Sequence, residues 1–393
     1  MPNQTCGSLL HDMKSIISRA DRFHSLDALR GVAALAVVFW HWQHFALIGP
    51  VVQVFERKQQ PLYDFFRIFY DTGWLAVDLF FSLSGFIFFW LYSQRISSHT
   101  MTLTRFFILR FSRLYPLHIA TLLFVAIGQI IYITINGHGY VYENTNLWHF
   151  ILNLFLLSSI GFEKGYSFNG PAWSVSVEGL LYIIFFAFCK IRLNKPFALI
   201  ITSLIGFTLL YQIYSPISRG IGSFFLGGIT YIIFEIINKR PESRIITIIA
   251  VFATVLLWLA TLVYFYFDIA LNDLPVLWRL SGILPLERFA EILLFPMSIL
   301  SLALFESKFQ PRVPGLELLG SISYSTYLLH FPVQLVFALL LPAVGGLNTF
   351  FQTGASMILV FFVLISLSLA SYKYMEMPAQ HYIRKRWLMG RPS

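Results

Sequence analysis

The stretch of sequence that decides the fold is LDALRGVAALAVVFWHWQHF, residues 26–45. The run Gly31–Phe55, which contains most of it, has no Asp, Glu, Lys or Arg and is long enough to span a bilayer as a helix. Arg30 stands at the start of this run and His41 lies inside it. Because an ionisable side chain within a membrane segment is costly, it usually marks a functional site.

Arg30 and His41 are eleven positions apart. Over that interval an α-helix turns about 1100° and rises roughly 16 Å, so the two residues fall on one face at two depths. Two structural alternatives remain open: Arg30 as a cationic anchor at the membrane surface, and His41 as a histidine bonded to a neighbouring helix. The shared face and the flanking Trp40 and Trp42 favour a functional role.

Composition indicates an all-α, polytopic integral membrane protein. Of 393 residues, 57% are hydrophobic and only 12% are charged, whereas soluble domains carry about 25% charged residues. The formal net charge of +9 is interpreted as Lys and Arg held on the cytoplasmic side, not as nucleic-acid binding. Cys6 and Cys189 suggest neither a disulfide framework nor a metal site. The expected environment is therefore a lipid bilayer.

Hydropathy and the placement of Lys and Arg predict about ten transmembrane helices, with both termini in the cytoplasm. The apolar segment 147–160 has fourteen residues, which is short for a span. The predicted span before it ends outside and the predicted span after it begins outside, so the segment should not cross the membrane. We therefore expect it to be re-entrant or interfacial. The division is a cytoplasmic N-terminal segment 1–25, a transmembrane domain 26–375 and a basic cytoplasmic tail 376–393. The predicted spans are approximately 29–48, 74–92, 114–135, 173–189, 197–214, 219–237, 245–267, 288–306, 319–341 and 354–374.

Helix depths predict a layer of ionisable side chains in the outer half of the membrane. It combines His41 and His330 with the carboxylates of Asp78 and Glu178. A neutral histidine beside a carboxylate can act as a general base towards a hydroxyl, so we expect His41 to be the base and Asp78 or Glu178 to fix its tautomer. For each carboxylate the alternative is a structural bond between two helices.

A second predicted layer, on the cytoplasmic side, consists of Arg30, Arg110 and Arg113. Arg110 and Arg113 are three residues apart and point together if they lie on a helix. Guanidinium groups bind phosphate and carboxylate in a planar, two-point manner, so the layer predicts an anion clamp. The alternative for these residues is that they only set topology.

The segment Trp173–Glu178 follows the turn Asn169-Gly170-Pro171 and begins a predicted helix. Ser174 and Glu178 share a face, but a Ser–Glu pair has no base suited to activating a serine nucleophile. We therefore expect hydrogen-bonding roles here. The candidate groups for binding an acceptor molecule or a reaction oxyanion are Trp173, Ser174, Glu178 and His330.

Taken together, these pieces resemble the membrane acyltransferase-3 family, the bacterial integral-membrane O-acyltransferases that modify sugars of polysaccharides and related acceptors. The resemblance extends over nearly the whole chain in family order. The matching pieces are LDALRG with the Arg30-(ten residues)-His41 spacing, the stretch Asp78–Phe86, Arg110-Phe111-Ser112-Arg113, Pro171–Glu178 and Tyr324–Pro332.

The resemblance implies ten core helices and transfer of an acyl group, often acetyl, from a cytoplasmic acyl-CoA to a sugar hydroxyl. By motif, His41 resembles the catalytic histidine, Arg30 its partner, and Arg110 and Arg113 the pair that serves the donor. We expect no bound cofactor and no metal, with acyl-CoA as co-substrate and a sugar or envelope glycan as acceptor. A multi-spanning transporter or flippase of a glycan or acyl carrier is the alternative, because buried polar residues also mark transport paths.

Overall fold

The computed structural model describes residues 22–48, 51–52, 56–208, 210, 213–267, 286–310, 315–341 and 347–388. Most of the predicted N-terminal segment and the last five residues of the predicted tail lie outside this part of the chain. Within it, the regular secondary structure is helical apart from two strands of two residues each, β1 (Leu47–Ile48) and β2 (Val51–Val52), which pair antiparallel.

The α-helices of the described ranges are numbered in chain order. They are α1 (His24–Trp40), α2 (Tyr63–Thr72), α3 (Ala76–Phe88), α4 (Gln94–Ser97), α5 (Leu103–Asn136), α6 (Leu147–Leu154), α7 (Trp173–Lys190), α8 (Pro196–Phe207), α9 (Ser215–Asn238), α10 (Ser243–Tyr266), α11 (Leu286–Phe289), α12 (Phe295–Phe309), α13 (Leu316–Leu340), α14 (Leu347–Phe350), α15 (Gly354–Ser371) and α16 (Met377–Leu388). Short 3₁₀ turns are formed by His41–Ala46, Arg57–Gln59, Gly73–Leu75 and Gly170–Ala172, and π turns by Phe89–Ser93, Ala290–Leu294 and Tyr372–Glu376.

This architecture confirms an all-α, polytopic membrane protein. In the described residues, eight helical segments are long and apolar enough to cross a membrane. They match eight of the predicted spans, while α1 with its 3₁₀ turn and the shorter α8 occupy the other two. On α10 the side chains of Ile245, Ile248 and Phe252 are exposed, as expected for a surface that faces lipid.

The third span is longer than predicted, because α5 begins at Leu103 and not near Leu114. The Thr102 side chain accepts a hydrogen bond from the backbone N–H of Arg105 at 3.2 Å and caps the helix start. Arg110 and Arg113 therefore lie inside the helix, where their side chains turn towards the protein interior. Hydropathy predicted a helix start after these arginines because it scores every charged residue as polar, whether its side chain points into the protein or out of it.

The first span also differs at its end. The α-helical part stops at Trp40, and His41 and His44 lie on the 3₁₀ turn His41–Ala46. Gly31 on α1 faces Leu319 of α13, and the two helices pack along their length. Arg30 and His41 consequently both approach α13, at different heights.

The segment predicted to be re-entrant or interfacial runs back along α5. Its helix, α6, has eight residues, or about 12 Å, and is too short to cross a bilayer. The carbonyl of Asn153 at its end accepts a hydrogen bond from the His118 ring at 2.8 Å. His118 lies nineteen residues before Gly137, where α5 ends, which corresponds to about 28 Å of helix. The segment thus follows α5 back from its end without crossing beside it, in keeping with the predicted re-entrant or interfacial segment.

Close helix contacts hold the centre of the bundle together. A Cβ atom at Gly85 of α3 would lie 1.9 Å from the backbone oxygen of Phe224, and one at Gly227 of α9 would lie 2.0 Å from that of Ser82. Only glycine fits at these two positions, so the backbones of α3 and α9 approach as closely as small residues allow. Of this closely packed pair, α3 also lines the cleft described next.

Candidate active site

A polar cleft lies between α1, α3, α5, α7 and α13. It has about 760 Å³ of unoccupied space, its open mouth included. The charged residues that line it are Arg30, Arg110, Arg113 and Glu178. The structure thus brings together the three arginines of the predicted cytoplasmic layer, contributed by α1 and α5.

Positive charge predominates in this cleft. Arg30 is bound to Asp27 one helical turn earlier, with a guanidinium–carboxylate distance of 2.9 Å. Arg110 is only 7% exposed, and its guanidinium lies over the rings of Phe88 and Tyr92 at 4.1 and 4.6 Å. Its Nε has no hydrogen-bond partner. In the described part of the chain neither Arg110 nor Arg113 bonds to a carboxylate, so both remain available to an anionic ligand.

Glu178 belongs to this cleft and not to the histidine layer. Its carboxylate accepts hydrogen bonds from the Tyr182 hydroxyl at 2.7 Å and from Ser84 Oγ at 3.4 Å. The predicted placement beside His41 is wrong because α7 does not begin at the outer surface. Its first turn lies beside Tyr327, eleven residues into the 25-residue α13 and hence near the middle of the bundle.

Asp78 is likewise not the partner of His41. Its carboxylate is fully buried and accepts two hydrogen bonds from Arg219 on α9, from Nε at 3.0 Å and from Nη2 at 2.6 Å. The same guanidinium lies over the rings of Trp74 and Trp173, at 4.8 and 5.3 Å. Asp78 and Trp173 therefore belong to an ion-pair site between α3, α7 and α9, which corresponds to the structural alternative for Asp78.

Three histidine rings meet above the cleft. The ring centre of His41 lies 4.9 Å from that of His44 and 4.9 Å from that of His330 on α13. Gln334, one turn after His330, donates to the backbone oxygen of His41 at 2.9 Å and accepts from the His44 ring at 3.0 Å. In the described residues no group of His, Cys, Asp or Glu side chains is arranged to hold a metal ion.

The hydrogen bond of His41 fixes its tautomer. Nδ1 lies 2.8 Å from the backbone oxygen of Val37, and a carbonyl can only accept, so Nδ1 carries the proton. Nε2 is then a free lone pair, the state that a general base requires. A main-chain carbonyl thus does what a carboxylate was predicted to do.

Tyr327 connects the cleft to the histidines. It lines the cleft, and its hydroxyl donates to the Pro171 oxygen at 2.5 Å and lies 2.8 Å from Ser174 Oγ. Because the tyrosine proton is used on Pro171, Ser174 must donate to Tyr327. The backbone oxygen of Tyr327 in turn accepts from Nδ1 of His330 at 2.5 Å. As arranged here, neither Ser174 nor His330 has a free proton to offer an oxyanion.

With the site described, comparison with known proteins identifies the family. A family model described as an acyltransferase domain matches residues 23–372. The chain belongs to the acyltransferase-3 family. The match includes the arginine cleft, the ion pair of Asp78 and the histidine cluster.

Two curated proteins are similar over shorter stretches. "Protein 2 in picA locus" of Rhizobium radiobacter is 36% identical over 109 residues, which cover 28% of this chain and 47% of that protein. "Acyltransferase MdmB" of Streptomyces mycarofaciens is 34% identical over 173 residues, which cover 42% of this chain and 39% of that protein. The matched segments thus span less than half of each relative. No solved structure matches the chain.

Three residues of this acyltransferase-3 chain that border the site had not been singled out from the sequence. Gln334 could have been found as an uncharged polar residue one turn after His330 in an apolar span. Arg384 was counted in the tail, but α16 packs on α5, where Arg384 donates to Ser112 Oγ at 3.1 Å and to the Leu109 oxygen at 3.2 Å. Glu376 is buried and accepts hydrogen bonds from Ser325 and Ser371.

Proposed function

We propose that this protein is an integral-membrane O-acyltransferase that moves an acetyl group from acetyl-CoA to a hydroxyl of a sugar in an envelope or exported glycan. The observation that carries the proposal is the free Nε2 of His41. The Val37 carbonyl holds Nδ1 of the same ring, and Tyr327 and His330 connect this ring to a cleft with surplus positive charge. Membership of the acyltransferase-3 family and the printed name of MdmB support acyl transfer as the reaction class.

In this proposal the arginine cleft receives the donor. The phosphates of CoA are multiply charged, and Arg110 and Arg113 present guanidinium groups that no carboxylate in the described residues neutralises. The acyl end would extend past Tyr327 towards the histidines. Arg30 forms an ion pair with Asp27 and lines the cleft on the side of α13.

The chemistry follows from the tautomer of His41. Its Nε2 takes the proton of the acceptor hydroxyl as the oxygen attacks the thioester carbonyl. The C–O bond forms, the C–S bond breaks, and the proton on His41 passes to the departing thiolate. No covalent acyl-enzyme is needed, and the protein ends the cycle with the same protonation state.

We propose a bacterial cytoplasmic membrane as the location, with both termini on the cytoplasmic side. The support is the clustering of Lys and Arg at the ends assigned to that side, including Arg95, Arg105 and Lys190. Cysteines introduced at Asn136 and Lys164, which are both exposed, should react with an impermeant reagent from outside the cell. Reaction from the inside only would reverse the orientation.

We expect loss of either free guanidinium to weaken donor binding. Arg110→Ala or Arg113→Ala should lower the affinity of purified protein for acetyl-CoA by about tenfold or more, the scale of a charge-assisted hydrogen bond. Arg→Lys should restore only part of it, because a lysine lacks the planar fork. Arg105→Ala, an exposed residue earlier on α5, is the matched control and should leave the affinity unchanged. Unchanged affinity in both Arg110→Ala and Arg113→Ala would show that these arginines do not bind the donor and only set the membrane topology.

The proposed function as a whole is tested in cells. Mass spectrometry of envelope and exported glycans should show an O-acetyl ester that disappears when the gene is deleted and returns with the wild-type gene. Complementation with His41→Asn should not restore it. Identical glycan esters in all strains, with the protein present in the membrane, would refute glycan O-acetylation.

A further inference from the structure

The helix α16, which lies in the predicted cytoplasmic tail, brings a further arginine to the part of α5 that lines the arginine cleft. Nε of Arg384 donates to Ser112 Oγ at 3.1 Å, and Nη2 donates to the Leu109 oxygen at 3.2 Å. These two residues of α5 directly precede Arg113 and Arg110 in the sequence. Arg384 therefore lies beside both arginines to which the donor phosphates are assigned.

The two hydrogen bonds leave much of the Arg384 guanidinium free. A guanidinium has five N–H groups, and these bonds use one on Nε and one on Nη2, so both N–H groups of Nη1 and one of Nη2 remain. Within the ranges that the structure describes, Arg384 forms no ion pair with a carboxylate, whereas Arg22 and Arg30 both bond to Asp27. The half-buried charge of Arg384 is thus not neutralised there.

Three like charges held this close together are costly unless an anion joins them. The charges of Arg110 and Arg113 repel that of Arg384, and the buried Nε of Arg110 has no hydrogen-bond partner. Taking such groups out of water costs free energy that only an opposite charge and hydrogen-bond acceptors offset. A phosphate group supplies both. The arrangement therefore indicates a ligand with more than one phosphate, which extends from the cleft to Arg384.

We propose that Arg384 binds the 3′-phosphate of the CoA donor, while Arg110 and Arg113 bind its pyrophosphate. The inference rests on the proposed function and adds a subsite to it. In CoA the 3′-phosphate is attached to the ribose of the adenosine, at the opposite end of the molecule from the thioester. With the acyl end directed past Tyr327 towards the histidines, the adenosine lies at the arginine end of the cleft, where α16 packs on α5.

This assignment gives the tail helix a role in donor selection. An acyl group can also be carried on the phosphopantetheine of a carrier protein, which has a phosphodiester but no adenosine and no 3′-phosphate. Arg384 contributes binding energy only to the nucleotide donor. Its hydrogen bonds to Ser112 and Leu109 hold the guanidinium in position before the donor arrives, which lowers the entropy cost of binding.

The test compares two nucleotides that differ only in this phosphate. Isothermal titration calorimetry of the purified full chain, in a neutral detergent so that no lipid phosphate competes, gives the affinities for CoA and for 3′-dephospho-CoA. The wild-type protein should bind CoA about tenfold more tightly or better, the scale of hydrogen bonds to a charged group. In Arg384→Gln the amide can still donate to α5, but the charge is lost. Its affinity for CoA should fall to that for 3′-dephospho-CoA, which should itself change little.

Two further variants complete the design. Lys385→Gln removes the same charge from the neighbouring, exposed position of α16, so it is the matched control and should leave the ratio of the two affinities unchanged. Arg384→Lys keeps the charge without the planar fork and should retain only part of the ratio. If Arg384→Gln does not fold, Arg384→Lys replaces it, and an undiminished ratio there would overturn the inference.

The remaining outcomes separate this inference from the proposed function. Equal affinities of the wild-type protein for the two nucleotides would overturn the 3′-phosphate subsite and leave CoA as the donor. An equal loss of both affinities in Arg384→Gln would also overturn it, because Arg384 would then only hold α16 against α5. If the wild-type protein binds neither nucleotide, the CoA donor of the proposed function is wrong, and the subsite fails with it.

Discussion

Replacing His41 with alanine should slow acyl transfer by about 10²–10⁴-fold, the usual contribution of a general base. The expectation follows from its free Nε2, fixed by the bond of Nδ1 to Val37, and from its position beyond the arginine cleft. The measurement is ester formation per folded molecule, with acetyl-CoA as donor and an envelope glycan extract as acceptor. Thermal unfolding should change little, since the ring is only partly buried.

His41→Asn separates chemistry from structure in this experiment. Its amide can donate to the Val37 oxygen as Nδ1 does, but it is not a base, so it should be as slow as alanine. The matched control is His118→Ala, which removes a buried histidine bonded to the re-entrant segment. That change should lower the melting temperature and leave the rate per folded molecule near normal. If His41→Asn keeps wild-type turnover, His41 is not the base.

Breaking the buried pair of Asp78 and Arg219 should destabilise the protein more than any other single change proposed. Asp78 is fully buried and Arg219 is 14% exposed in its side chain, so either charge alone would be left uncompensated. The expected cost for Asp78→Asn or Arg219→Met is about 3–5 kcal/mol in the free energy of unfolding. It is measured as unfolding in detergent, beside acyl transfer per folded molecule.

The double variant gives the decisive comparison. Asp78→Leu with Arg219→Met removes both charges and fills the space with apolar atoms, so much of the lost stability should return. Transfer by the remaining folded protein should stay near normal in all three variants. If Asp78→Asn unfolds normally but cannot transfer, the carboxylate takes part in the chemistry, as the sequence first suggested.

The sequence could predict the helical membrane fold because its signals are local. A run such as Gly31–Phe55 without charge specifies a span from its own composition. The re-entrant segment was also predictable, since 147–160 is too short to cross and its neighbours are placed by charge. The start of α5 was not, because Arg110 and Arg113 look like loop residues until it is known that Arg110 is buried against Phe88 and Tyr92 and that both arginines line the cleft.

Depth along a helix proved a weaker guide to which side chains meet. The arginine cleft was correctly assembled, since Arg110 and Arg113 share one helix face. Asp78 and Glu178 were placed with His41 on depth alone, yet the first pairs with Arg219 and the second lines the cleft. Which side chains meet between two helices depends on how each helix is rotated about its axis and on where it starts. Hydropathy predicts neither.

The bond between His41 and the Val37 oxygen bears on how this site tolerates substitution. Any amino acid at position 37 presents the same main-chain oxygen, so exchanging side chains there changes packing and leaves the tautomer of His41 intact. A saturation mutagenesis screen would therefore find no side chain whose replacement releases Nδ1 of His41. An ester in place of the Val37–Val38 amide, which makes that oxygen a poorer acceptor, reaches the interaction that side-chain replacement leaves untouched.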